Sequence, residues 1–315
     1  MWSKVRFSIK IGLLFFFFVG CQSPEGGDQR KEIAIVVSTL NNPWFVFLAE
    51  TARDEAEKLG YVARIFDSQN NTSLEANHIE NAIALGYAAV LLNATDSDGS
   101  IANARKAISA GIPVFCMDRE VNDNTAATSQ IVSDSYAGCV ELGKLFVSTL
   151  GEEGQYVELL GLVGDNNTWN RSKGFHYVLD HFPGWEMVAQ QSADFDRNKA
   201  MEVLESALQA HPNIDAVFCG NDAMAMGAYQ ALVAAGKSET VKVFGFDGSE
   251  DAVQSIASGG VYATVMQFPE VIAKTAVRCA IAHFEGQTEF PAKTLVGVEL
   301  VTPKNIDAYA GYGQE

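Results

Sequence analysis

The chain has 315 residues, 48% of them hydrophobic and 19% charged, and carries a net charge of −17. That length is too great for one small core and suits two lobes of roughly 130 residues each in a soluble globular protein, once the N-terminus is set aside. A nucleic-acid partner needs a basic face to neutralise phosphates, and basic residues cluster nowhere in the body of this acidic chain, so DNA and RNA are excluded as partners.

Lys4, Arg6 and Lys10 lead into an apolar run at 11–20 (IGLLFFFFVG). A bilayer core of about 30 Å needs ~20 such residues, so 1–20 reads as a signal peptide rather than a membrane span. The run ends in Phe18-Val19-Gly20-Cys21, which resembles the lipobox of bacterial lipoproteins, where a small residue precedes the lipidated cysteine. Cys21 is therefore the expected lipidation site, 21–31 a polar tether, and the protein is expected in the periplasm or cell envelope, touching the membrane only through its lipid anchor. Cys116, Cys139, Cys219 and Cys279 lie far apart, with no CxxC or zinc spacing, and three of them sit in apolar runs. Buried free thiols are the expectation for these four.

From residue 32 strands and helices alternate. The β-branched run 33–37 (IAIVV) predicts a strand covered on both faces. Pro43 opens a helix at 44–59 that Gly60 stops. Strand 63–67, helix 71–86, strand 88–92, helix 99–111 and strand 112–117 repeat the unit. After a short gap the series resumes with helix 137–150, strand 156–160, helix 170–181, strand 187–191, helix 197–211 and strand 216–219. Helix 223–235, strand 241–246, helix 249–258, strand 261–266, helix 269–284 and a tail at 293–301 close it. Such alternation implies right-handed crossovers and parallel sheets, here two doubly wound α/β units in succession. No low-complexity linker separates them, so the lobes are expected to share crossovers.

In open parallel sheets ligands bind beyond the carboxyl ends of the strands. The residues there are Ser38, Asn42, Asp67, Asn93, Asp118, Arg119, Asn221, Asp222 and Asp247, with Gln267 after a late strand. Trp44, Phe45, Trp169, Phe195 and Phe246 are interleaved with them. Asn, Asp and Arg supply directional hydrogen bonds, and aromatic rings cover the C–H faces of a sugar, so the mixture suits a polyhydroxylated ligand. Any one such Asp or Asn is ordinarily a helix cap or turn residue; the recurrence in both halves is what carries the reading. There is no GxGxxG after the first strand, no GxxxxGK[ST], no HExxH and no GxSxG. Asp118 and Asp247 are strand-end carboxylates, but Arg119 beside Asp118 reads as half of a charge-balanced binding pair rather than as a neighbour of a glycosidase acid. No catalytic residue, metal ligand or cofactor is assigned, and the protein is not expected to be an enzyme.

The stretches VVSTLNNPWFVFLAETARDEAEKLGY, DSQNN, LLNATDSD and IPVFCMDRE resemble the ribose-binding proteins of ABC importers. ADFDRNKAMEVLESALQAHPNIDAVFCGNDAMAMGA and VKVFGFDGSEDAVQSIASGGVYATVMQFP continue the likeness, which runs from about residue 32 to about 300. It implies a type I periplasmic-binding fold of two lobes joined by three crossovers: 32–133 plus 267–296 as the N-terminal lobe, 134–266 plus 297–315 as the C-terminal lobe. It further implies a monomeric solute-binding receptor that holds a monosaccharide or polyol in the inter-lobe cleft and delivers it to an ABC permease. Receptors that present a ligand to a membrane sensor kinase or chemoreceptor share the same signature. Repressors of this fold carry an N-terminal helix-turn-helix, a place taken here by the apolar segment. The family's sugar contacts carry over onto Ser38, Asn42, Trp44, Phe45, Asn93, Asp118 and Arg119 from one lobe. Phe195, Asn221, Asp247 and Gln267 match from the other lobe and hinge, with Phe246 beside them. Ribose binders carry an arginine two residues before another; Trp169 falls at the first place and Arg171 at the second. An indole for a guanidinium there opens the ligand to other pentoses, furanoses, branched or deoxy sugars and short polyols.

Overall fold

The computed structural model describes residues 1–2 and 31–309. Residues 3–20 of the expected signal peptide, Cys21 and the expected tether up to Arg30 lie outside the described residues.

The strands are β1 (Glu32–Val37), β2 (Val62–Asp67), β3 (Ala89–Leu92), β4 (Val114–Met117), β5 (Ser129–Ser133), β6 (Glu153–Leu160), β7 (Gly184–Ser192), β8 (Ala216–Cys219), β9 (Lys242–Phe244), β10 (Thr264–Met266), β11 (Lys293–Val296) and β12 (Glu299–Val301). Between them run α1 (Pro43–Lys58), α2 (Thr72–Leu85), α3 (Ser100–Ser109), α4 (Ser135–Leu150), α5 (Asn166–Leu179), α6 (Arg197–Ala210), α7 (Asp222–Ala234), α8 (Glu250–Ala257) and α9 (Pro269–Phe284). Among the described residues the larger sheet is ordered β11-β5-β4-β3-β1-β2 and the smaller β7-β6-β8-β9, with all pairs in both sheets parallel. β10 and β12 form a short antiparallel pair, tied to the smaller sheet by bridges from Phe244 to Ala263 and from Asp247 to Met266. The fold is thus the expected one of two doubly wound lobes, joined where the chain passes from β5 to α4, from β10 to α9 and from β11 to β12.

Strand β1 shows why the sheet needs helices on both faces. Ile33, Ile35 and Val37 pack with α1 and α9, while Ala34 and Val36 pack with α2 and α3, as the two-residue period of a strand dictates. In the other lobe Val157 and Leu159 face α6 and α7, and Tyr156 faces α4 and α5 among Phe146, Phe175, Trp185, Phe218 and Phe244. There the Phe175 and Phe218 rings stack at 4.1 Å.

Polar residues after the strands start the helices. Asn42 accepts from the Trp44 N–H, Asn71 from Ser73 and Leu74, Asp134 from Ala137, Asp165 from Asn167, Asp196 from Lys199, Asn221 from Met224 and Ser249 from Ala252. Two elements differ from the sequence expectation. β5 fills the gap left between the halves; its sequence, SQIVS, is fully buried yet polar at both ends, which hides it from a hydrophobic count. The tail at 293–301 divides, β11 extending the larger sheet beside β5 and β12 pairing with β10. Cys116, Cys139 and Cys219 are buried free thiols, and Cys279 is half-buried and free. No described helix is long and apolar enough to cross a membrane.

Candidate functional site

The carboxyl ends of β1, β3 and β4 face those of β6, β8 and β9 across a cleft. The cleft there holds about 270 Å³ of empty space, counted out to open solvent at its mouth. An ion pair and hydrogen bonds between the lobes hold them together around it.

From the larger sheet come Asp118 and Arg119, at the end of β4. Asp118 is 3% exposed and sits at φ +63°, a left-handed conformation uncommon outside glycine but several-fold enriched for aspartate. Asn93, at the end of β3, braces it: Nδ2 donates to Met117 O at 3.0 Å and to Asp118 Oδ2 at 3.4 Å. Ser38, at the end of β1, holds Asn93 in turn, donating from N and Oγ to Asn93 Oδ1 at 3.2 and 2.6 Å. Ser38 and Asn93 therefore stand behind Asp118 and do not line the cavity. Arg119 reaches across the cleft, its Nε 2.7 Å from Asp165 Oδ2 in an ion pair buried on both sides, its guanidinium carbon 4.8 Å from the Phe45 ring centre.

The other lobe contributes Asp247 after β9, at φ +127°, accepting from Gln267 Nε2 at 2.7 Å. Arg171 lies 3.4 Å from Asp247 Oδ1, donates to Gly220 O at 2.7 Å, and rests 3.9 Å over the Phe246 ring. Phe246 is thus a platform under Arg171 rather than a cavity wall. Buried Asp222 accepts from Thr264 Oγ1 at 2.7 Å and from the Ser249 N–H at 2.8 Å, bracing the turn that carries Asp247. Phe195, at φ +60°, lies over Gly161, where a Cβ would overlap the ring. Asn42, Trp44, Phe45, Phe195, Asn221 and Gln267 all line the cavity with Asp118, Arg119 and Asp247.

Trp169 is corrected. It is 38% exposed, and its indole N–H donates to Val163 O at 2.8 Å on the outside of α5. Two residues along a helix turn through about 200°, so Trp169 and Arg171 lie on opposite faces of α5, and with Trp169 outward Arg171, 4% exposed, points into the cleft. The guanidinium expected to be missing is present, supplied two residues along. Asp165 and Asn167 also line the cavity and were not among the expected residues. The signal for them was the Asp-Asn-Asn run after β6, set apart from the strand end by a short loop.

Burial first, then neighbouring Asp165, pushes the Asp118 carboxyl up to about 7, against the pull of Arg171, Arg119 and Asn93. Burial likewise raises Asp247, opposed first by Arg171. Three carboxyls and two guanidiniums share the space, and each guanidinium already faces a carboxyl. No cation is left over for an anionic ligand. Trp44 Nε1, Arg171 Nε and Gln267 Oε1 are buried with no hydrogen-bond partner among the described residues. Unpaired buried donors and acceptors beside aromatic rings ask for a ligand rich in hydroxyls and poor in charge.

Residues 33–288 match the periplasmic binding protein domain family, and the chain belongs to it. It is 42% identical over 282 residues to the D-apiose import binding protein of Paraburkholderia graminis, covering 88% of this chain and 90% of that one. It is 40% identical over 273 residues to the ribose import binding protein of Escherichia coli, covering 86% of this chain and 90% of the relative. A solved ABC transporter solute-binding protein from Bacillus halodurans with bound myo-inositol superposes with a TM-score of 0.85 at 27% identity, covering 90% of this chain and 98% of that one. The relatives are binding proteins, and this chain is a solute-binding receptor rather than an enzyme.

Proposed function

We propose that the protein is the sugar receptor of an ABC-type importer and holds one pentose, in furanose or pyranose form, between lobes 32–133 plus 267–296 and 134–266 plus 297–315. The observation that carries the reading is the cleft in which two Arg–Asp pairs and three aromatic rings surround unpaired buried donors and acceptors. Asp118 and Asp247 accept from ligand hydroxyls from opposite lobes, Arg119 and Arg171 donate to hydroxyl or ring oxygens, and Trp44, Phe45 and Phe195 cover the apolar faces. The import proteins for D-apiose and ribose, at 42% and 40% identity, support a pentose. Titration calorimetry of residues 31–315 with D-apiose, D-ribose, myo-inositol and D-glucuronate tests this. Stoichiometric heat is expected with a pentose, and the sugar should be recovered unchanged; tighter binding of glucuronate sinks the reading.

In the same reading the receptor acts as a monomer, tethered to the membrane through a lipid on Cys21, and docks with its lobes closed on the permease. Cys21→Ala should release it into the soluble extracytoplasmic fraction; a variant that stays with the membrane removes the anchor from the proposal.

A further inference from the structure

The lobes meet a second time, outside the cavity. The loop after β3 faces the loop that leads from β6 into α5, and the Ser97 N–H donates to Gly164 O at 2.8 Å. The Asn166 N–H donates to Ser97 Oγ at 3.1 Å, and its Nδ2 donates to Asn122 Oδ1 at 2.7 Å and Glu120 Oε1 at 3.2 Å. Asn122 is fastened back to the first loop, its N–H on Ser97 O at 2.8 Å and its Nδ2 on Asp98 Oδ1 at 2.7 Å. None of these residues lines the ligand cavity.

Gly164 belongs to the same contact. Asp96 Oδ1 accepts the N–H groups of Asp98 and Gly99 at 3.0 and 2.7 Å, which fixes the carboxylate with Oδ2 against Gly164. A Cβ on Gly164 would overlap that oxygen. Gly164 is not among the residues at positive φ, so its backbone does not require glycine. The missing side chain answers to an atom of the opposite lobe.

We propose that Asn122, Gly164 and Asn166, with Ser97 between them, form a closure latch that sets ligand affinity without touching the ligand. This rests on the reading of the chain as a receptor whose lobes part to admit a sugar. Each bond in the latch crosses the cleft or braces one that does, and all the crossing bonds are lost when the lobes separate. Apparent affinity scales with the fraction of molecules in the competent closed form. A latch residue therefore tightens every ligand by one common factor, whereas a cavity residue changes the ratio between ligands.

Asn166→Ala and Gly164→Ala test it, with calorimetry and stopped-flow release of D-ribose and D-apiose. Ala suits the first turn of α5 and the φ of Gly164, so the unfolding temperature of the ligand-free variants should stay at the wild-type value. Asn166→Ala should weaken both sugars by the same factor, about threefold to tenfold, mainly through faster release. Gly164→Ala should act in the same direction. Unchanged affinity in both variants, or a shifted ratio between the sugars, overturns the latch. Should neither sugar bind the wild type, it is the pentose reading that fails, and small-angle scattering of the ligand-free proteins then decides: a larger radius of gyration in the variants supports the latch, and equal radii overturn it.

Discussion

Each lobe brings one arginine to the cavity, and the two are held in opposite ways. Arg171 is paired within its own lobe, to Asp247 and Gly220 O, and lies on Phe246. Arg119 is paired across the cleft, to Asp165 at the cap of α5. Parting the lobes leaves the first pair whole and breaks the second. The smaller-sheet lobe thus presents a finished donor, while the larger-sheet lobe presents one that is completed only on closure. Buried charges left without partners are costly, so the second arrangement couples closure to the charge balance of the site.

Removing the arginines should expose this difference most strongly. Arg119→Ala and Arg171→Ala should each cost roughly 2–5 kcal/mol of sugar binding, a loss of about thirtyfold or more. Only Arg171→Ala should also lower the unfolding temperature of the ligand-free protein, because it strands Asp247 inside one lobe. Calorimetry with thermal unfolding reads both; equal temperature losses would erase the contrast between the arginines.

The pH dependence separates the cleft from a lobe interior. Asp118, raised from 3.8 to about 7, favours its protonated form in the closed fold, so its stabilising contribution is full below pH 3.8 and is lost as pH rises through about 7. His176, half-buried between Glu158 and Asp180, is raised from 6.5 to about 9, first by its bond to Glu158. Its contribution is full below pH 6.5 and is lost as pH rises through about 9. Unfolding temperatures measured across pH should lose their slope below 7 in Asp118→Asn and between 6.5 and 9 in His176→Gln; a slope unchanged in either variant removes that group from the account.

Trp44→Phe keeps a ring in the cavity and deletes a buried indole N–H that has no hydrogen-bond partner among the described residues. If that donor meets the ligand, affinity should fall by about threefold to tenfold with folding intact; unchanged affinity would make Trp44 a wall only. Smallest of all should be Trp169→Phe. It gives up one exposed bond to Val163 O, so stability should move by no more than about 0.5 kcal/mol and sugar affinity not at all. A shift in the ratio of ribose to apiose binding in that variant would return Trp169 to the site.

The same contrast explains what the sequence discloses. Asp118 and Arg119 are neighbours at the end of an apolar strand, and their place at the cavity can be read from that position; the charge pair expected between them is not formed, because Arg119 turns across the cleft to Asp165. Arg171 and Asp247 come from a helix and a turn 76 positions apart, and only the fold brings them together. Trp169 misleads because residue order within a motif does not state which helix face points inward, and the two residues between it and Arg171 move a side chain through about 200°. Ser38 and Asn93 are drawn to the site by their place at strand ends, yet they lie one layer back, on Asp118, and do not line the cavity. The alternation of apolar runs and capped helices discloses nearly all of the fold; β5 escapes because its buried polar ends find partners that the sequence does not reveal, among them Pro291 O for Ser129 Oγ at 2.7 Å.

That contact links residues 162 positions apart, and β11 extends it along the whole edge of β5. The larger sheet holds β1 at 32–37 and is completed by β11 at 293–296. Until Lys293–Val296 is in place, β5 offers an open edge with its backbone groups unpaired, and until Pro269–Phe284 is in place, the face of β1 bearing Ile33 and Ile35 is uncovered. The N-terminal lobe therefore cannot fold to completion on residues 32–133 alone, and its assembly waits on segments more than 130 positions further along the chain.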